Sequence, residues 1–187
     1  MYDPSLPMRD ARAQYFREAG FADDGGYADK WVKLKKGERT LFAFPNTAAR
    51  VRSVKLHDLH HVLTGYKTTW TGEAEIGAWE IASGCAHHLP AWILNLGAFA
   101  IGLAIAPRRV YAAFVRGRHS RNLYRREFED ALLERRVGEL RADLAIDDHA
   151  PRATWNDRAA FLGWASASVL QYVPGAVVLL IVLRRVL

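Results

Sequence analysis

The residues best suited to chemistry lie in one short run, which holds three histidines and one aspartate: His57-Asp58-Leu59-His60-His61. On an α-helix, residues four positions apart lie one turn apart on the same face, so His57 and His61 point the same way, with Asp58 about 100° round from His57. Glu73 follows His61 after eleven residues and can reach the same point from the next helix. Two imidazoles and two carboxylates form a ligand set for a divalent metal ion. The sequence therefore predicts one metal site of His57, Asp58, His61 and Glu73.

Neighbouring polar residues are predicted to support this site or to lie outside it. His60 points about 100° or more away from the other two histidines, which favours a place beside the ligands or on the surface. Glu80 stands seven residues after Glu73, on the same face of its helix, and is a further candidate for the site. The pair His87-His88 has no partner in the sequence and is not predicted to bind metal.

Three known histidine motifs do not fit this pattern. A phosphohydrolase of the His-Asp type needs a histidine upstream of that pair, and His57 is the first in the chain. Membrane di-iron desaturases use several histidine boxes, whereas two of the seven histidines here, His119 and His149, stand alone. A zinc peptidase of the HExxH type carries glutamate directly after its first histidine, where this chain has Asp58.

Composition limits the class of protein and its partners. A chain of 187 residues predicts one globular domain, and its single cysteine excludes an intramolecular disulfide and a cysteine-based zinc site. The net charge of +6 is local, because seven arginines and no acidic residue lie between Arg108 and Arg126. Such a belt fits either nucleic acid or anionic phospholipid headgroups, and the apolar tail described next favours the membrane over nucleic acid.

Two long uncharged stretches indicate contact with a membrane. Residues 159–183 run for twenty-five positions without a charge, more than the roughly 20 apolar residues that cross a bilayer as a helix. We therefore predict a C-terminal membrane anchor over 159–187, after a linker at 147–158. Residues 89–106 are shorter and contain two glycines, so a core helix or a helix in the membrane interface is favoured over a spanning one.

The remaining patterns predict a mainly α fold. Residues 1–30 are polar and predict a loose N-terminal arm with one short helix. Apolar runs flanking Lys36-Gly37-Glu38 predict a small β-hairpin at the start of a helical metal-binding domain, residues 31–146. Within that domain Pro45-Asn46-Thr47 offers a break and an N-cap for a helix through residues 50–56 that can continue into the histidines, and Thr64-Gly65-Tyr66 offers the stop after them. Residues 125–144 are predicted to form one further, highly charged helix.

The stretch HDLHHVLTGYKTTWTGEAEIGAWEIASG, residues 57–84, resembles the coenzyme Q (ubiquinone) biosynthesis protein 4 family. The likeness covers residues 45–146 and is strongest over 55–84. The resemblance implies an all-helical protein on the membrane surface that binds a divalent metal, zinc first, with iron, manganese and cobalt as alternatives. It carries the ligand roles to His57, Asp58, His61 and Glu73. The hairpin and the apolar tail are not part of the family's pattern, so the resemblance is to a divergent member.

The resemblance also implies a function. We expect a role in ubiquinone biosynthesis, with the same four residues catalysing metal-dependent oxidative decarboxylation and hydroxylation of a polyprenylated hydroxybenzoate ring. The alternative is a non-catalytic lipid-binding scaffold that organises the biosynthetic enzymes around a structural metal. The expected partners are a polyprenylated quinone precursor, an anionic phospholipid membrane, other quinone-biosynthesis proteins and a second copy in a homodimer. The expected place is the inner or cytoplasmic membrane, with the active domain on its cytoplasmic side.

Overall fold

A computed structural model describes residues 1–36 and 39–173 of the chain. This described part is mainly helical and contains one antiparallel strand pair, as the sequence predicts. Its elements are α1 (Met8–Ala19), β1 (Trp31–Lys36), β2 (Arg39–Pro45), α2 (Ala48–Thr64), α3 (Trp70–Ser83), α4 (Leu89–Ile105), α5 (Pro107–Arg118), α6 (Asp130–Glu134), α7 (Val137–Asp143) and α8 (Trp155–Leu170).

The helix that carries the histidines begins and ends where its capping residues predict. The Thr47 side chain accepts a hydrogen bond from the Arg50 backbone N–H, which satisfies one free donor at the start of α2. Gly65 ends α2 with φ of 77°, a left-handed conformation that favours glycine. Thr69 caps α3 in the same way as Thr47 caps α2. Because α2 is unbroken between these caps, His57 and His61 share one face.

Helix α3 lies at the centre of the molecule and packs against α4 and α5. Two glycines allow this close packing. A Cβ at Gly102 of α4 would lie 2.5 Å from the Ala74 side chain, and one at Gly117 of α5 would overlap the Trp79 carbonyl oxygen of α3. Small residues at these points therefore let both helices approach α3 and fix the position of its carboxylates.

The stretch 89–106 forms α4, with one buried and one exposed face. Its buried face includes Phe99, which stacks on Phe114 of α5. The opposite face carries exposed apolar side chains spaced by four or eight residues, namely Leu89, Ile93, Ile101 and Ile105. A helix with this division is half core and half open surface.

The expectation of a loose N-terminal arm is wrong. One face of α1 is buried against α2, and Met8, Tyr15 and Phe16 belong to the main core. The polar residues on the outer face of α1 dominate its composition and hide this buried face. The short helix itself is confirmed.

The single charged helix expected over 125–144 is also wrong. The structure has two short helices there, α6 and α7, separated near Arg135. The Arg135 carbonyl accepts the Met8 backbone N–H at 2.8 Å, and the Val137 N–H donates to the Leu6 carbonyl at 3.0 Å. These bonds to the N-terminal segment take the place of bonds within one continuous helix.

The predicted membrane anchor is covered only in part. Helix α8 starts within the expected linker and ends at Leu170, and Phe161 packs against Phe99 and Phe114 of the domain. Among residues 1–36 and 39–173, no helix combines the length and the apolar character needed to cross a bilayer. The described residues thus do not support a transmembrane helix, and the rest of the predicted anchor, 174–187, lies outside them.

Candidate metal centre

Three of the four predicted ligands come together between α2 and α3. The Nε2 atoms of His57 and His61 lie 3.1 Å apart. The Glu73 carboxylate lies across from both, with Oε2 3.6 Å from His57 Nε2 and Oε1 3.4 Å from His61 Nε2. One ligand atom from each of the three residues lies within 4.8 Å of the other two, so this group could hold a metal ion.

Hydrogen bonds on the far side of each ring fix where the protons lie. His61 Nδ1 is 2.9 Å from the Tyr66 carbonyl oxygen, which can only accept, so Nδ1 carries the hydrogen. His57 Nδ1 is 2.9 Å from Glu80 Oε1, a carboxylate oxygen that likewise accepts. In each neutral ring Nε2 therefore presents a lone pair, and the two lone pairs face each other. Two lone pairs at 3.1 Å repel unless a proton or a metal cation lies between them.

Glu80 is fully buried behind His57 and is bonded on both of its oxygens. Oε1 accepts from His57 Nδ1 and, at 2.6 Å, from His60 Nδ1. Oε2 accepts from the Tyr124 hydroxyl at 2.7 Å and from Asn95 Nδ2. A carboxylate has about four acceptor positions, so all of those of Glu80 are used.

His60 supports the site without joining it, which agrees with its predicted place beside the ligands. Its Nε2 accepts the Leu123 backbone N–H at 2.9 Å, so its Nδ1 must carry the hydrogen that goes to Glu80. Burial lowers the pKa of His60, and this effect outweighs the opposing effect of Glu80. His60 is therefore a neutral donor with a fixed tautomer.

Asp58 lies beside the site but is not part of the group of three. Its Oδ2 accepts the Tyr27 hydroxyl at 2.6 Å. Burial raises the pKa of Asp58, while His57 and the Tyr27 hydrogen bond lower it in part. The assignment of Asp58 as a ligand stays a prediction.

The charges around the two Nε2 atoms favour a cation. Burial alone would lower the pKa of His57, but Glu80 and Glu73 outweigh it and raise that pKa well above its usual value. Burial would raise the pKa of Glu73, and the two imidazoles instead hold it well below its usual value. The same opposition, with His57 and His60 as the partners, lowers the pKa of Glu80. Two carboxylates with lowered pKa values thus flank His57, whose own pKa is raised.

An aromatic side chain covers one face of the buried His61 ring. The Tyr15 ring stacks on the His61 ring, with centroids 5.2 Å apart and an angle of 16° between planes. Tyr15 and Tyr66 also line a cavity of about 180 Å³, together with Lys67 and other residues of α1 and of the turn after α2. Unlike the buried His61, Glu73 has 40% of its side chain exposed, so the site is open at Glu73.

No motif or spacing in the sequence connects several residues of the centre to the histidines. Tyr124 and Asn95 reach Glu80 from distant parts of the chain, and Tyr27 reaches Asp58 from the loop before β1. Glu80 itself has a signal, its spacing of seven from Glu73. His88 contacts Ser53 through Nδ1 at 3.1 Å, and the described part of the chain forms no metal group around it.

Comparison of the chain with protein-family models, with curated proteins and with solved structures gives no match.

Proposed function

We propose that the chain binds one divalent metal ion through His57, His61 and Glu73 and uses it in ubiquinone biosynthesis, in oxidative decarboxylation and hydroxylation of a polyprenylated hydroxybenzoate ring. The observation that supports the metal site is the approach of the two Nε2 atoms of His57 and His61 to 3.1 Å, while each Nδ1 atom lies 2.9 Å from an acceptor. The resemblance of residues 57–84 to the coenzyme Q biosynthesis protein 4 family supplies the substrate class.

The donor atoms fit a metal of the expected kind. Two nitrogens each about 2.1 Å from a tetrahedral zinc ion are about 3.4 Å apart, close to the 3.1 Å between the Nε2 atoms of His57 and His61. Metal-bound histidines usually donate their other N–H to a carboxylate or a carbonyl, which are the partners Glu80 and Tyr66 provide. Zinc and other first-row divalent ions therefore suit this site.

An open side favours catalysis over a purely structural metal. Structural zinc sites are closed by four protein ligands, whereas catalytic sites have three and leave one position for water or substrate. Here the group has three members, and Glu73 is 40% exposed. When bound, the metal would supply Lewis acidity toward a carboxylate or phenolate oxygen of the ring. The ring carboxylate would leave as carbon dioxide and water would supply the hydroxyl that replaces it, while dioxygen would accept the two electrons and two protons and leave as hydrogen peroxide.

The residues of the chain would hold and orient the reacting groups. Glu80 and the Tyr66 carbonyl keep both imidazoles in place, and Tyr15 keeps water from one face of His61. The cavity beside Tyr15 and Tyr66 has about 180 Å³, and an engineered cavity of about 150 Å³ holds one benzene ring. None of His57, His61 and Glu73 lines this cavity, so it would hold the ring beside the metal group and not directly on it. Lys67 in its wall would pair with an anionic substituent of the ring.

An anionic membrane is the proposed source of a polyprenylated substrate. Support comes from the exposed face of α4, where Leu89, Ile93 and Ile101 are open to solvent. Arg108 is exposed just beyond the end of α4, next to Ile105. An apolar helix face with a cation at its end suits the boundary between acyl chains and headgroups.

The test is a reaction with a defined substrate. Purified chain loaded with zinc, iron, manganese or cobalt is given a prenylated hydroxybenzoate with a labelled carboxyl group, under air. We expect labelled carbon dioxide and a hydroxylated ring by mass spectrometry. Glu73→Gln should stop both products, while Glu75→Gln, on the same helix but paired with Arg109, should retain them. Metal binding without product, for every metal, would favour the scaffold alternative.

A further inference from the structure

We propose that Glu80 is the positioning residue of this centre, the buried carboxylate that holds His57 in its metal-binding tautomer and balances the charge of the bound cation. This inference rests on the proposed metal site of His57, His61 and Glu73. It gives Glu80 a task different from that of Glu73, although both are carboxylates of α3 and both contact His57.

The hydrogen-bond pattern leaves His57 one tautomer. The Leu123 backbone N–H always donates, so His60 Nε2 accepts and His60 Nδ1 donates to Glu80 Oε1. On the other oxygen, Asn95 Nδ2 and the Tyr124 hydroxyl donate. Glu80 is thus an acceptor toward every neighbour, and His57 must give it the Nδ1 hydrogen. The His57 Nε2 lone pair is then directed at His61, as a metal requires.

Glu80 is anchored from three directions besides its own helix. Asn95 comes from α4, Tyr124 from the segment after α5, and His60 from α2. A side chain held in this way loses little further freedom when a metal binds to its histidine. The arrangement keeps His57 in a metal-ready orientation, which a single carboxylate on a free surface would not do.

The ion-pair partners of Glu80 also bear on the charge of the site. Glu80 is fully buried, and its ion-pair partners in the described residues are the imidazoles of His57 and His60, with no lysine or arginine. A buried carboxylate is costly unless a positive charge lies near it. His60 is held as a donor by Leu123, so the compensating charge would lie on His57 or on a cation bound to its Nε2 atom.

Glu80→Gln tests the charge, because glutamine has the same shape and can still accept from both histidines through one oxygen. We measure zinc affinity by competition with a coloured chelator, and the visible absorption of the cobalt-loaded protein. Loss of an outer-shell partner weakens metal binding by about 10- to 100-fold, and we expect a loss of that size with the metal-free fold intact by circular dichroism. Glu75→Gln is the matched control, a buried α3 carboxylate that pairs with Arg109, and should bind zinc as the unaltered chain does.

Tyr124→Phe serves if Glu80→Gln does not fold. It removes one hydroxyl donor to Glu80 and leaves the ring in place. A several-fold weaker zinc affinity in Tyr124→Phe supports the inference. Unchanged zinc affinity and an unchanged cobalt spectrum, in Glu80→Gln or, where that does not fold, in Tyr124→Phe, would overturn it. A chain that binds no zinc even without substitution would instead refute the metal site itself, which separates the two failures.

Discussion

His57 and His61 face each other through Nε2 atoms 3.1 Å apart, while Nδ1 of each ring lies 2.9 Å from an acceptor, Glu80 Oε1 and the Tyr66 carbonyl oxygen respectively. This relationship is unfavourable in a neutral, empty pair. One positive charge between the rings removes the conflict, and, although burial opposes it, Glu80 and Glu73 raise the pKa of His57. A divalent ion satisfies the same two lone pairs and also the carboxylate of Glu73.

Removing one ligand should remove the metal. In His61→Ala, one nitrogen donor is lost, and we expect zinc affinity to fall by more than the roughly 100-fold that loss of an outer partner can cost. Zinc titration against a chelator measures it. His87→Ala, which changes an exposed histidine outside the ligand group, is the control and should keep full affinity. Equal loss in both variants would show that the effect is not specific to the site.

Close packing of α3 and α5 depends on Gly117. In Gly117→Ala the new Cβ would overlap the Trp79 carbonyl oxygen and lie 2.9 Å from the Ala82 side chain. Overpacking of this kind costs about 1–3 kcal/mol of unfolding free energy, which urea unfolding measures. Gly163→Ala on α8 is the matched control, because its Cβ would meet nothing within 4 Å and alanine favours a helix. A Gly117→Ala protein as stable as the control would contradict the packing described.

The start of α8 gives a pH-dependent contribution to stability. Burial would raise the pKa of Asp157, but hydrogen bonds from Thr154, His119 and Arg118 hold it well below its usual value. A folded pKa below the unfolded value of about 3.9 stabilises the fold above about pH 4, and this stabilisation is lost as the pH falls toward the folded pKa.

Asp157→Asn should therefore lower the unfolding free energy by about 1 kcal/mol at pH 7, as expected for weakening the capping box that Asp157 forms with the N-cap residue Thr154. The difference between the variant and the unaltered chain should shrink steadily as the pH is lowered below about 4. Urea unfolding across that range measures it. A difference that stays constant with pH would contradict the role given to the Asp157 charge.

The exposed face of α4 should govern membrane binding. Ile101→Glu places a charge in the middle of the apolar row, and we expect a several-fold loss of sedimentation with vesicles that contain phosphatidylglycerol. Trp31→Glu changes an exposed apolar residue of the hairpin instead and should leave binding unaltered. If both variants bind as the unaltered chain does, α4 is not the membrane contact.

The sequence predicts local structure well where capping residues and helical spacing decide it. Thr47 and Gly65 bound α2 as expected, and the four-residue spacing brings His57 and His61 together. Prediction fails where contacts with distant segments of the chain determine where a helix ends. The N-terminal segment breaks the expected helix over 125–144 through bonds to Arg135 and Val137, and no periodicity in that stretch indicates them.

In the candidate site, too, some residues can be predicted from spacing, whereas others depend on contacts with distant segments. Spacing identifies Glu73 and makes Glu80 a candidate, because both lie on one face of α3. It does not identify Tyr124 or Asn95, since their contact with Glu80 depends on how α4 and the segment after α5 pack. The same limit applies to Asp58, whose predicted ligand role does not include its hydrogen bond to Tyr27.

The most direct test is the metal content of the chain after purification without chelators, measured by elemental analysis beside His57→Ala. One divalent metal ion for each unaltered chain, and almost none in a folded His57→Ala protein, is the result predicted here. Metal-free chain that also takes up no zinc on titration, or equal metal in both proteins, would contradict the metal centre.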